Sequence, residues 1–180
     1  MKKLLYILLF VPFALFGQDN YSLSFDGVDD YVVLGSTDLL NAEDDFSVSF
    51  SIKNPSTTYT TGIGAIFWHA NNGQFQFNYD VATNTVRFCI KDFDLNWNIL
   101  EIINPSNDWV SYTGTYSFDN QEMKFYCNGI LGGSLIIENN LLHSDIYHPN
   151  IHIGALLSGG VGNEVEQYSG LIDDVIIWQR

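Results

Sequence analysis

Apolar and polar residues alternate along nearly the whole length of this chain. Segments such as Phe46–Ile52 and Thr85–Lys91 repeat with a period of two, and Gly, Asn, Asp or Pro closes almost every segment. Successive side chains of a β-strand point to opposite faces, so this pattern indicates half-buried strands. No window keeps helical spacing with a cap at both ends. The sequence therefore predicts an all-β chain of about a dozen short strands.

So many strands exceed the usual size of one sheet. Two antiparallel sheets packed face to face, as in a jelly roll, would bury the apolar side of each strand between them. Asn128-Gly129 lies between two apolar runs, and both residues tolerate the positive φ that a tight two-residue turn requires. We therefore predict a two-sheet antiparallel jelly-roll sandwich with a tight hairpin at Asn128-Gly129.

The N-terminus has the parts of a secretory signal peptide. Met1-Lys2-Lys3 is followed by an apolar run from Leu4 to Phe16, and polar residues begin after Gly17. The run is too short to cross the ~30 Å hydrocarbon core of a bilayer as a helix, and Pro12 interrupts it. We expect residues 1–17 to be a signal peptide and residues 18–180 to form one domain. The mature protein is then expected to be secreted or held at the cell surface, with no membrane span.

Charge excludes one class of partner. The chain has seven basic and 21 acidic residues, for a formal net charge of −14, and loss of Lys2 and Lys3 with the signal peptide makes it more negative still. Such a surface repels the phosphate backbone, so we do not expect a nucleic-acid partner. The same field attracts divalent cations but does not specify a metal site.

Two cysteines, Cys89 and Cys127, make a disulfide chemically possible in an exported chain. Cys89 alternates with the apolar residues of its strand and therefore turns away from the core, whereas Cys127 belongs to the apolar set of its own strand. A bridge needs converging side chains, so the alternation argues against the pair without settling it.

Three segments carry a resemblance to a known family. They are Leu23-Ser24-Phe25-Asp26-Gly27-Val28-Asp29-Asp30-Tyr31-Val32, then Trp109 with Gly114-Thr115-Tyr116 and Tyr126-Cys127-Asn128-Gly129, and finally Tyr168-Ser169-Gly170-Leu171-Ile172-Asp173-Asp174-Val175. In order and spacing they resemble the first hairpin, the central strand with its hairpin, and the closing strand of laminin-G-like domains of the concanavalin A-like lectin and glucanase superfamily. The resemblance implies that fold across the mature chain. Such domains usually continue past the closing strand, so one expectation is a domain truncated after Arg180, with further domains beyond it.

The resemblance also implies a structural calcium ion. Its expected ligands are Asp26 and Gly27 near the first strand and Asp173 in the last, with Asp29, Asp30 and Asp174 as further ligands or solvated acids. Calcium takes six to eight oxygen ligands, which carboxylates, a carbonyl at the glycine turn and waters can supply. The alternative is an Asx-turn at Asp26 and an ordinary surface acid at Asp173.

One polar loop with interleaved aromatic residues is the candidate ligand site. Sugars bind by stacking on aromatic rings and by hydrogen bonds from amides and carboxylates. The predicted glycan contacts are Phe93, Asp94, Asn96 and Trp97 in one connection and Asn71 in another. The alternative is that the two rings only cover the edge of the core. Trp68, Trp109 and Trp178 are expected to be core or rim residues.

Catalytic patterns are weak in this sequence. Laminarinase-type enzymes share the sandwich and carry Glu-x-Asp-x-Glu on one strand, a run that this chain lacks. Glu164-Val165-Glu166 and Glu43-Asp44-Asp45 are predicted to be loop acids. His143, His148 and His152 match no zinc spacing and are predicted to be isolated surface residues. No Gly-x-Ser-x-Gly elbow is present.

Together these observations predict a non-catalytic, secreted or cell-surface binding module that is carbohydrate-binding or adhesive. Its expected partner is a glycan, a polysaccharide or a cell-surface glycoprotein. The alternatives are a protein-binding adhesion domain, a structural spacer and, less favoured, a glycan-degrading enzyme, because a fold alone does not fix function.

Overall fold

The structure is a computed structural model that describes residues 21–36, 44–58, 62–69, 75–138, 150–157 and 164–180. Within these ranges the secondary structure is strands and turns, and the same residues include no helix long and apolar enough to cross a membrane. The strands are β1 Leu23–Asp26, β2 Val32–Ser36, β3 Phe46–Ser56, β4 Ile63–His69, β5 Phe75–Asp80, β6 Thr85–Lys91, β7 Trp97–Ile103, β8 Val110–Ser117, β9 Glu122–Cys127, β10 Ile130–Ile136, β11 Asn150–Ile153, β12 Leu156–Leu157, β13 Glu164–Val165 and β14 Ser169–Gln179.

Most of these strands form two six-stranded sheets whose ladders are antiparallel. The first sheet has the order β1-β14-β3-β8-β9-β10, and the second has the order β2-β11-β4-β5-β6-β7. Strands β12 and β13 form a separate short pair. The predicted two-sheet jelly-roll sandwich is therefore confirmed. In the first sheet the closing strand β14 lies between β1 and β3, so the two ends of the described chain meet side by side.

Alternation along β3 shows how the core forms. Phe46, Val48, Phe50 and Ile52 are buried, while the serines between them stay half-buried on the other face. Aromatic rings of the second sheet pack against this apolar side. Phe50 meets Phe77 edge to face, with ring centroids 5.1 Å apart. Full burial of each such side chain stabilises the fold by about 1.5–3 kcal/mol.

The Asn128-Gly129 hairpin joins β9 to β10 as predicted. Asn128 has a φ of 48° and Gly129 a φ of 75°, and positive values at both positions are what this turn requires. The side chain of Asn128 also accepts a hydrogen bond from the Ser111 N–H at 3.0 Å. The turn is thus tied to the neighbouring strand β8.

Both cysteines are free thiols, in line with the alternation of their strands. Cys89 lies in β6 of the second sheet, paired with Gln76 and Ile99. Cys127 ends β9 of the first sheet and packs against the core. The two side chains therefore belong to different sheets.

Some predictions concern residues outside the described ranges. They are the signal peptide at residues 1–17, the loop acid Glu43, the ligand contact at Asn71, and the two histidines His143 and His148.

Candidate functional site

The end of strand β1 forms a tight acidic turn. Asp26 accepts a hydrogen bond from the Val28 N–H at 2.7 Å through Oδ1, and its own N–H donates to Asp30 Oδ2 at 3.0 Å. Gly27 follows with a φ of 81°, and a Cβ there would lie 3.0 Å from the Ser169 Cβ. Only glycine fits this conformation and this space without strain. The Asx-turn considered for Asp26 is therefore present.

This turn also gathers three carboxylates. One oxygen each from Asp26, Asp29 and Asp30 lies within 4.8 Å of the others, and all three residues are exposed. Calcium binds oxygens at 2.3–2.6 Å, so two ligands of one ion lie at most about 5 Å apart. The donor type and the spacing of these oxygens therefore suit a calcium ion. The Gly27 carbonyl, which accepts a hydrogen bond from the Thr58 hydroxyl, lies in the same turn.

Asp173 lies elsewhere along the β1–β14 ladder. Asp26 is paired with Ser169, whereas Asp173 comes four residues later on β14 and is paired with Ser51 of β3. Four residues of strand span roughly 13 Å, too far for two aspartates to share one ion. The Asp173 carboxylate instead accepts a hydrogen bond from the Asp174 N–H at 2.8 Å. Of the expected ligands, the structure thus brings together Asp26 and Gly27 but not Asp173.

The predicted sugar loop, residues 92–98, is held by a buried acid. Asp92 is 6% exposed, and its carboxylate accepts hydrogen bonds from the Asn96 N–H at 2.8 Å and from the Asn98 amide at 3.3 Å. Its backbone N–H donates to the Asn96 carbonyl at 3.0 Å. Leu95 closes the turn with a φ of 68°. A buried carboxylate with several donors fixes a loop, so Asp92 is a structural residue that sequence reasoning did not single out.

This loop presents its aromatic residues to solvent. Phe93 is 69% exposed and Trp97 is 40% exposed, so part of each ring is accessible to a ligand. Lys91 Nζ lies 5.3 Å from the centroid of the Trp97 ring, a cation–π distance that steadies the indole. Asp94 and Asn96 are exposed on the same turn. Phe93, Asp94 and Asn96 lie in the turn before the edge strand β7, and Trp97 is the first residue of that strand. Four of the five predicted ligand contacts therefore lie together on one accessible surface.

A second accessible tryptophan lies on the outer face of the first sheet. Trp178 on β14 is 66% exposed and borders a cavity of about 570 Å³, which we call the Trp178 cavity. Its floor includes Ser47 of β3 and Thr115 of β8. Trp178 had been expected in the core or rim because it lies in a family-typical strand. The signal that could have revealed this cavity is the row of small polar residues that alternates with the apolar side of β3 and β8.

Two expectations about acids and histidines need correction. Glu164–Val165 is not a loop but the short strand β13, because it pairs with Leu156–Leu157. Burial raises the pKa of the Glu166 carboxyl next to it.

His152 is not a surface residue. It is 2% exposed, because its strand β11 lies between β2 and β4 and its ring packs 5.3 Å from that of Trp68.

Known proteins share this fold. Solved structures similar to the chain include a heptameric SAP-like pentraxin from Limulus polyphemus, at 18% identity and a TM-score of 0.63 over 88% of this chain and 76% of that one. The botulinum neurotoxin serotype D binding domain is similar at 20% identity and a TM-score of 0.65, over 89% of this chain and 40% of that one. A third is the CBM40 of the Ruminococcus gnavus IT-sialidase, solved with α2,6-sialyllactose bound, at 15% identity and a TM-score of 0.59 over 87% of this chain and 89% of that one.

No protein of curated function matches the sequence. A family model described as the concanavalin A-like lectin/glucanases superfamily, of the laminin-G type, matches residues 26–180. That match covers strands β2 to β14, the acidic turn, the loop 92–98 and the Trp178 cavity. The chain therefore belongs to the concanavalin A-like lectin/glucanase superfamily.

Proposed function

We propose that this protein is a secreted or cell-surface, non-catalytic module that binds glycans. The observation that carries the proposal is the pair of exposed rings, Phe93 and Trp97, on a loop that the buried Asp92 holds rigid. Solvated aromatic rings cost free energy unless a ligand covers them, and sugar rings have an apolar face that stacks on them. A preorganised loop loses little conformational entropy when the ligand binds.

Similar structures support a binding role. Two of them are a toxin binding domain and a sialidase CBM40 with sialyllactose bound. These proteins share only the fold with this chain, so they support the class of function and not the ligand. A protein partner is the second candidate, and it would follow if the folded protein bound no glycan.

Substitution of Trp97 tests the proposed site. Trp97→Ala in the full-length protein should weaken binding to the best glycan from an array roughly threefold to tenfold, because one stacked ring contributes about 0.5–1.5 kcal/mol. The matched control is Trp109→Ala, since Trp109 is also 40% exposed but precedes β8 in the other sheet. Calorimetric titration measures the affinity, and circular dichroism checks the fold. If Trp97→Ala and Trp109→Ala bound the glycan with equal affinity, the proposed site at loop 92–98 would be rejected.

We also propose that a calcium ion stabilises the acidic turn after β1. The carboxylates of Asp26, Asp29 and Asp30 and the Gly27 carbonyl would hold it. The ion would join β1 to the turn that packs against Ser169 of β14. Three exposed carboxylates this close repel one another, and a divalent cation relieves that repulsion. The role of the ion in this proposal is structural, because the turn carries no exposed aromatic ring for a sugar.

Removal of calcium should lower thermal stability. Binding at a hundredfold excess over Kd stabilises the native state by about 3 kcal/mol, which for a domain of this size corresponds to a shift of roughly 6–12 °C in Tm. Asp26→Asn should abolish the shift between calcium and chelator while keeping the acceptor for the Val28 N–H. Asp173→Asn, the matched control, should keep the shift. A Tm of the wild-type protein that chelator leaves unchanged would contradict the calcium proposal.

A further inference from the structure

The Trp178 cavity is created by strand register. Trp178 of β14 is paired with Ser47 of β3, Ser47 with Thr115 of β8, and Thr115 with Lys124 of β9. Directly paired residues share a face, and the alternating neighbours Phe46, Tyr116 and Met123 are buried, so this row lies on the outer face. A large side chain stands at each end and two small hydroxyl residues lie between them. The result is a depression bounded by Trp178 and Lys124.

The size of this depression suits a small ligand. Its volume is about 570 Å³, within the range of roughly 300–1,000 Å³ that is usual for ligand sites. The Trp178 ring is 66% exposed and can offer a flat apolar surface to that space. Hydroxyl and amide groups complete the lining at Ser47, Thr115, Ser117, Asn120 and Gln179. One ring beside several neutral hydrogen-bonding groups is the chemistry that recognises a pyranose.

Three of the four charged side chains of the lining are already engaged. Lys124 pairs with Glu122 at 2.8 Å, and the Asp45 carboxylate accepts a hydrogen bond from the Phe118 N–H at 2.7 Å. Arg180 is the fourth charged residue, so the lining carries as many positive as negative charges. The chain as a whole has a net charge of −14. A polyanionic sugar would meet repulsion here without a compensating cluster of cations.

From these observations we infer that the Trp178 cavity is a second binding site, specific for neutral saccharides, on the sandwich face opposite the second sheet. The choice of a saccharide as the class of ligand rests on the proposed function. The residues of the Trp178 cavity, however, are separate from those of loop 92–98. Trp178 stacks on one sugar ring, and the hydroxyl and amide groups bind the sugar hydroxyls. The loop 92–98 adjoins the edge of the second sheet, so the two sites allow one module to hold two glycan chains.

Affinity for neutral trisaccharides of glucose, mannose and xylose tests this inference. In full-length protein that also carries Trp97→Ala, Trp178→Ala should weaken the remaining affinity roughly threefold to tenfold. Ser47→Phe fills the floor and keeps the tryptophan, and it should weaken binding as much. Trp109→Ala is the control, because Trp109 lies about 20 Å along β8 from Thr115, beyond the reach of a trisaccharide that stacks on Trp178. Acidic alginate trisaccharides should bind more weakly than neutral ones.

The possible outcomes separate this inference from the proposed function. If Trp97→Ala weakens binding while Trp178→Ala and Ser47→Phe do not, the first site stands and the second is rejected. If only Trp178→Ala and Ser47→Phe weaken binding, the second site stands and the assignment of the first is overturned. If the folded wild-type protein binds no neutral trisaccharide, or if a peptide but no sugar occupies the cavity, the inference is overturned.

Discussion

His69 is a buried base without a hydrogen bond inside the described part of the chain. It ends β4, is 1% exposed, and neither ring nitrogen has a partner among those residues. Its ring stacks on Phe75 with centroids 5.0 Å apart. Burial lowers the pKa of this imidazole from 6.5 to about 4, because the charged form loses its hydration. The folded protein therefore holds His69 neutral at a pH at which the unfolded chain protonates it.

This difference predicts acid sensitivity. Between pH 6.5 and 4 the unfolded state binds the additional proton, so the free energy of unfolding falls as pH falls, by on the order of 3 kcal/mol in total. His69→Phe keeps an aromatic ring and removes the titration, so its stability should fall less over this range. Urea unfolding at pH 7.5 and pH 4.5 measures both proteins. The same loss of stability in the wild type and in the variant would show that His69 does not cause it.

The conformation of a single residue could be predicted where its own chemistry and that of its sequence neighbours determine it. Asn128-Gly129 sets its own turn, and its positive φ angles were expected. Asp92 could not be distinguished from the other acids of its loop, because its role depends on burial and on hydrogen bonds to Asn96 and Asn98. Exposure of Trp178 was missed for a related reason, since alternation gives the face of a residue but not what covers that face.

Strand β8 shows how one glycine allows the two sheets to approach. Gly114 is buried in β8, and a Cβ at this position would overlap the Phe77 ring, lying 2.6 Å from its Cε1 and 3.0 Å from Phe88 Cδ1. These two rings stack on each other with centroids 4.5 Å apart. Aromatic rings of the second sheet thus pack directly on the backbone of the first.

Gly114→Ala should therefore destabilise the fold by about 1–3 kcal/mol, because the added methyl group overlaps two buried aromatic rings. Thr113→Ser on the outer face of the same strand is the control. It keeps the hydroxyl that donates to Ser49 Oγ at 3.1 Å, so it should change stability by less than about 0.5 kcal/mol. Equilibrium unfolding in guanidinium chloride measures both. A Gly114→Ala variant as stable as the control would mean that the sheets adjust their spacing.

The sequence could not predict the register of strand pairing, that is, which residues of two neighbouring strands lie opposite each other. Alternation located β1 and β14 along the chain, yet the expected ligand set joined Asp26 to Asp173, which the ladder places four positions apart. Pairing depends on contacts between distant segments, and β14 also has bulges between Ser169 and Leu171 and between Asp173 and Ile176. A bulge shifts the pairing of later residues, so spacing in the sequence does not fix which acids meet.

At the scale of the whole molecule, the fold class followed from the period of the sequence. An apolar period of two requires a second layer to cover one side of every sheet, which explains the two six-stranded sheets. The outer surfaces were less predictable, because they depend on which side chains are short enough to leave space. The molecule is therefore a sandwich with two separate exposed aromatic surfaces, one at Phe93 and Trp97 and the other at Trp178.

The most direct test of the glycan-binding claim is the calorimetric affinity of the full-length wild-type protein for glycans selected on an array, in calcium and again in chelator. We expect saturable binding to a defined glycan in calcium, which Trp97→Ala weakens and Trp109→Ala does not. Below the Tm measured in chelator, removal of calcium should leave that affinity unchanged. A folded protein that bound no glycan in either condition would contradict the account and leave a protein partner as the alternative.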